Sequence, residues 1–211
     1  MAALHYFAQG SYQKSVEQDL NCALSQSSVS RAITLISDIL VQHFSHKVQF
    51  PGTAEEKDRE RVKFMQHQNG FPGIIGCIDG THIAIQAPPT NNYEFPGLLF
   101  YNRKVSWISA RLSIWSTSII RNHLKQNFIN GDESSWLIGD SGYPLEPFNE
   151  HELRFNNQLR CVRNTVERAI GTFKSRFRCL LKHRTMHYNP TRAATIINAC
   201  AILHNIQCGL K

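Results

Sequence analysis

Three carboxylates stand apart from the other acids of this 211-residue chain by their surroundings. Asp79 closes an apolar run in GFPGIIGCIDGTHIAI, residues 70–85. A charge buried there would be costly unless paired or bound to a metal. Asp140 closes a second apolar run, WLIG, and Glu167 is the lone acid in a basic stretch. Two aspartates at strand ends and one helical glutamate are the parts of a two-metal phosphoryl-transfer site. Hard carboxylate oxygens suit Mg²⁺ or Mn²⁺. Two such ions, about 3.5–4 Å apart, can activate a water and stabilise the leaving oxygen of a phosphodiester. Each acid also has a plainer reading. Asp79-Gly80 could be a hairpin turn. Asp140-Ser141-Gly142 could be a turn in which the aspartate bonds local backbone. Glu167 could pair with Arg163, one helical turn earlier.

The elements that must position these acids are legible as patterns. Ile74–Ile78 reads as a strand, with Ile83–Ile85 as its partner or continuation. Trp136–Ile138 reads as a short strand ended by Gly139-Asp140-Ser141-Gly142. The best helix lies near Cys161–Leu181, where Val162, Val166, Ile170, Phe173 and Phe177 draw one apolar stripe. Arg160, Arg163, Glu167, Lys174 and Arg178 draw a second, charged stripe. Thr53 to Glu56 is a capping-box pattern opening a charged helix to about Gln68. Residues 117–128 resemble a helix, and a last helix starts at Thr191 after Pro190 and runs to about Gln207.

Upstream, Ser27 is a fitting N-cap for a helix carrying Val29, Ile33, Ile36 and Leu40. A weaker helix around Val16–Leu20 and a turn-like GSY precede it. This is the outline of a helix-turn-helix, in which the first residues of the second helix meet DNA. Ser28, Ser30 and Arg31 would face outward. A small helical packing region fits the same pattern.

The formal charge is +7, and its distribution is uneven. From Arg160 to Arg192 nine Lys or Arg stand against one acid, while the remainder is close to neutral. A basic block suggests a polyanion, with nucleic acid the first choice, although a solvated helix face would look alike. The six cysteines contain no C-x-x-C pair, so they predict neither a zinc site nor a disulfide ladder. They fit buried thiols in a reducing compartment. MAALHYFAQG is too short and polar for a signal peptide, and no run approaches a membrane span. These features predict a soluble intracellular protein with no membrane partner.

Five motifs then occur in one order: GCIDGTHIAIQAP (76–88), YNRK (101–104), WLIGDSGYPLEP (136–147), FNNQLRCVRNTVERAIGTFKSRFRCLL (155–181) and ATIINACAILHN (194–205). Together they resemble the Harbinger transposase-derived nucleases of the DDE-type endonuclease superfamily, across nearly the whole chain. ALHYFAQGSYQKSVEQDLNCALSQSSVSRAI resembles the helix-turn-helix region that precedes the nuclease domain there.

The resemblance implies an α/β, ribonuclease H-like nuclease domain behind a small helix-turn-helix-like region. It implies division into a helical region (1–50), a connecting helix and linker (51–75) and a DDE nuclease domain (76–211). The family's D-G-T-H, G-D-S-G-Y and V-E-R acids fall on Asp79, Asp140 and Glu167, which makes these the expected catalytic and metal-binding residues. The expected function is hydrolysis of DNA phosphodiester bonds with Mg²⁺ or Mn²⁺. The alternative is a catalytically inactive DNA-binding remnant, or a domesticated transposase without cleavage activity. Expected partners are DNA and a Myb-like protein, in the nucleus and also the cytoplasm. Arg163, Lys174 and Arg178, on Glu167's stripe, could face the phosphate backbone, with Arg31 as a contact from the upstream helix. His82 could touch metal or phosphate, or be a structural histidine. His183 and His187 lack a ligand glutamate. The chain departs from the family after YNRK, where only Val105–Ser116 precedes the next helix, and in the short interval between Asp140 and Glu167. Both suggest internal deletions.

Overall fold

The computed structural model describes residues 1–10, 24–66, 72–88, 118–139 and 164–209. The helix expected at Val16–Leu20, the YNRK motif and the shortened stretch Val105–Ser116 lie outside them. The described chain is mixed and helix-rich, with one small parallel sheet of two strands. It divides into two compact units, one drawn from Met1–Gln49, His82–Asn102 and Gly171–Lys211, the other from Phe50–Thr81 and Arg103–Ile170.

The first unit holds the larger core. Helix α1 (Ala2–Gln9) ends at Gly10, whose φ of 62° is the left-handed conformation favoured by glycine. A Cβ there would come within 2.5 Å of the Arg178 backbone, so the close approach itself requires glycine. Helix α2 (Gln26–Phe44) starts one cap earlier than the sequence suggests. Ser25, not Ser27, is its N-cap, and its Oγ accepts the Ser28 N–H at 3.3 Å. A Ser-Gln-Ser-Ser run offers several capping hydroxyls, and the Ser25 Oγ also lies 3.0 Å from the hydroxyls of both Ser27 and Ser28. Val29 and Ile33 are fully buried. Helix α6 (Pro190–Gly209), capped by Asn189 Oδ1 accepting the Arg192 N–H at 2.8 Å, is the principal partner of α2. Ile196, Ala199 and Cys200 of α6 are fully buried. An Arg192–Asp38 ion pair of 2.6 Å and an Asn205 bond to the Lys47 carbonyl of 2.8 Å close the two ends of this pairing.

Residues 164–176 form helix α5, followed by a 3₁₀ turn, Arg178–Leu180. Phe177, Cys179 and Leu180 enter the first core. The segment after Asp79 contributes there as well. Ile85 pairs with Met186 in a parallel bridge, flanked by Met186 N–H to the Ala84 carbonyl (2.9 Å) and Gln86 N–H to the Met186 carbonyl (2.8 Å). Ile83–Ile85 is therefore not the partner of the first strand. Three exposed residues, Gly80, Thr81 and His82, separate the two runs, and Ile83 and Ile85 pack on the first core instead.

The second unit contains the sheet. The expected capping box opens helix α3 (Ala54–Gln66): Glu56 N–H donates to Thr53 Oγ1 at 3.2 Å, and Thr53 N–H donates to Glu56 Oε2 at 3.0 Å. Strand β1 (Ile74–Cys77) runs parallel to β2 (Trp136–Ile138), with Cys77 opposite Ile138. Ile74 and Ile138 are buried against Phe64 and Cys77. Helix α4 (Ile119–Ile129) lies between the strands in sequence and is capped by Ser118 Oγ, which accepts the Arg121 N–H at 3.1 Å.

Candidate functional site

The ladder between the strands runs one residue past β1, because Ile78 N–H donates to the Ile138 carbonyl at 2.7 Å. Asp79 is thus the first residue beyond the sheet. It is half-buried, and its Oδ1 accepts the Gly80 N–H at 2.7 Å, a local bond that restrains the side chain. Glu167 sits on α5 in an exposed position. Asp140 and Arg163 lie outside the described residues; in sequence, Asp140 follows Ile138 by two positions, as Asp79 follows Cys77. Among the described residues, no three His, Cys, Asp or Glu side chains gather into a metal-holding group. The donor chemistry of Asp79 and Glu167 fits a hard divalent cation, since both are carboxylates and both reach solvent.

The basic residues divide by environment. Arg31 is exposed on α2, away from Val29 and Ile33. Arg178 is exposed too, but in the 3₁₀ turn beyond α5, so the charged stripe of α5 runs only as far as Lys174. Lys174 is half-buried, its Nζ donates to the His82 carbonyl at 2.7 Å, and burial pushes its pKa down. Arg176 points its guanidinium at His204 Nδ1, 3.0 Å away, and His204 is lowered by burial and then by Arg176.

A second polar cluster, in the second unit, was not visible in the sequence. Lys57 Nζ donates to Asp132 Oδ2 at 2.7 Å, and Arg61 Nη2 donates to Ser135 Oγ at 2.7 Å and lies 3.4 Å from Asp132 Oδ1. The bond from Lys57, then that from Ser135, pulls the Asp132 carboxyl down to about 2. This cluster ties α3 to the turn that feeds β2. The only prior signal was the i, i+4 spacing of Lys57 and Arg61, which two solvated cations would share.

The family described as DDE superfamily endonuclease matches residues 111–205. Proteins named "Putative nuclease HARBI1" are similar over 98 % of this chain: those of Rattus norvegicus and Homo sapiens at 30 % identity, and that of Xenopus laevis at 27 %. The chain carries a DDE superfamily endonuclease match and is similar over most of its length to the Harbinger transposase-derived nucleases. It spans 66 % of the length of each of these relatives. The match to the rat protein runs over 238 positions, more than the 211 residues here, so these Harbinger relatives carry residues with no counterpart in this chain. No solved structure matches the chain. Among the described residues, no helix is long and apolar enough to cross a membrane.

Proposed function

We propose that this chain is a metal-dependent DNA endonuclease whose Asp79, Asp140 and Glu167 carboxylates hold Mg²⁺ or Mn²⁺. The observation that carries the reading is the parallel pairing of β1 and β2, with Cys77 opposite Ile138. Neighbouring strands lie about 4.8 Å apart, and in a parallel pair their carboxyl ends share one edge, where ligands collect in open α/β sheets. Asp79 and Asp140 are equally far beyond the paired residues in sequence. Glu167 falls in the same compact unit as Asp79. A strand end fixes a ligand more tightly than a loop does, and the Gly80 amide on Asp79 Oδ1 adds to that.

A bound divalent cation would supply charge neutralisation at the scissile phosphate and a more acidic water. The chain's own groups would hold the nucleic acid. Arg31, Arg163 and Arg178 would bind phosphates without reading bases, giving salt-dependent affinity. Lys174, the fourth cation assigned to phosphate from the sequence, has one of its donors on the His82 carbonyl. In this reading the nuclease core is ribonuclease H-like, α2 is the second helix of a helix-turn-helix, and the protein works in the nucleus with a Myb-like partner, with the cytoplasm as a second location.

The test is nicking of supercoiled plasmid with Mg²⁺ or Mn²⁺, with chelator, and with Asp140→Asn. Chelator should abolish nicking. Losing a ligand forfeits several kcal/mol of transition-state stabilisation, so Asp140→Asn should slow nicking by about 10³-fold. DNA binding that survives both treatments, with no nicking by the wild-type chain, would mark an inactive DNA-binding remnant.

A further inference from the structure

Lys174 stands where two site-bearing segments meet. Its ammonium donates to a backbone carbonyl 92 residues away in sequence, that of His82, at 2.7 Å. A charged donor on a carbonyl makes a stronger bond than a neutral one. His82 follows Asp79 by three residues. Lys174 follows Glu167 by seven, which on a helix of 3.6 residues per turn puts both on one face, nearly two turns apart. The stretch between has anchors at both ends. Ile78 N–H is held by the Ile138 carbonyl, and Ala84 to Gln86 are held by Met186. Lys174 supplies a long-range restraint in the middle.

We infer that Lys174 is a positioning residue for the carboxylate site: its bond to the His82 carbonyl sets the turn carrying Asp79 in register with the helix carrying Glu167. This rests on the nuclease reading above. It also separates Lys174 from Arg31 and Arg178, which are exposed and suited to phosphate. The half-buried Lys174 ammonium, with its pKa lowered by burial, is already engaged on the His82 carbonyl at 2.7 Å. Register matters because a misplacement of about 1 Å at a reacting centre can cost about 10²-fold in rate.

The experiment compares the full-length wild type with Lys174→Met and Lys174→Arg. Three readouts are taken: Mn²⁺ affinity by electron paramagnetic resonance, hydrogen exchange across residues 78–86, and the salt dependence of DNA affinity. Lys174→Met should weaken Mn²⁺ binding about tenfold, the scale seen when a supporting partner of a metal ligand is removed. It should speed exchange across 78–86 and leave DNA affinity and its salt slope unchanged. Lys174→Arg keeps the charge and the helix but not the compact ammonium geometry, so it should share the Mn²⁺ and exchange defects. Unchanged Mn²⁺ affinity and exchange in both variants would overturn the inference. So would a loss of DNA affinity in Lys174→Met that Lys174→Arg restores. A wild-type chain that binds no Mn²⁺ would sink the nuclease reading, and this inference with it. A wild type that binds Mn²⁺ beside variants that bind it equally well sinks the inference alone.

Discussion

Lys57 Nζ and Asp132 Oδ2 form a 2.7 Å ion pair in which the lysine side chain is 9 % exposed and the aspartate 22 %. A lysine this deep needs its counter-charge, because an unpaired buried ammonium is costly. Arg61, Ser134 and Ser135 also bond the Asp132 carboxylate. The pair therefore fixes the turn that leads into β2, and Asp140 follows β2 closely in sequence.

Asp132→Asn should cost about 2–3 kcal/mol, because Lys57 is left buried without a charge partner. The pH dependence follows from the sign of the shift. Asp132 has a folded pKa of about 2, below the ordinary 3.8. Its contribution is present above about pH 4 and is lost as pH falls towards 2. Urea melts between pH 2 and 6 should show a steeper acid loss in the wild type than in Asp132→Asn.

Gly10→Ala should destabilise the first unit by about 2–4 kcal/mol, from left-handed strain and from contact with fixed backbone. The φ of 62° and the approach of 2.5 Å to the Arg178 carbonyl carbon are the causes. A thermal melt reads the effect, and a Tm equal to wild type would show that the α1 terminus is not packed as described.

Ser37 runs the other way. It is fully buried on α2, and among the described residues its Oγ has no hydrogen-bond partner. Ser37→Ala removes an unsatisfied hydroxyl and adds helix propensity, so it should stabilise by about 1 kcal/mol. A lowered denaturation midpoint would mean that the hydroxyl is satisfied in solution.

Arg31→Ala and Arg178→Ala should each weaken DNA binding to all sequences alike. Each should reduce the slope of log affinity against log salt by about 0.9 for a lost phosphate contact. Fluorescence anisotropy over a salt series measures it, and an unchanged slope removes that arginine from the interface.

Local signals in the sequence were sufficient where the chemistry is local. The Thr53–Glu56 capping box forms as its spacing requires, and β1 and β2 lie within a residue of their apolar runs. The choice of Ser25 over Ser27 was not legible, because either hydroxyl can cap a helix that starts here. Partners distant in sequence were not legible at all. Ile85 pairs with Met186, Lys174 reaches a backbone carbonyl that carries no side-chain signature, and Lys57 looks like one cation among many on a charged helix. Asp79 and Asp140 are conspicuous in the sequence because each closes an apolar run, and Glu167 because it is the lone acid in a basic stretch.

The first unit takes its helices from both ends of the chain, and this has a consequence for synthesis. Phe7, Val29 and Ile33 share their core with Leu180, Ile196 and Cys200. While the polypeptide emerges from the ribosome, α1 and α2 appear early and must wait for α6 with their apolar faces uncovered. Contacts so far apart in sequence form slowly, and exposed apolar surface invites aggregation in the interval. The nascent chain should therefore depend on chaperones until α6 has emerged, and a stop codon just before Pro190 should yield an insoluble product rather than a shorter folded one.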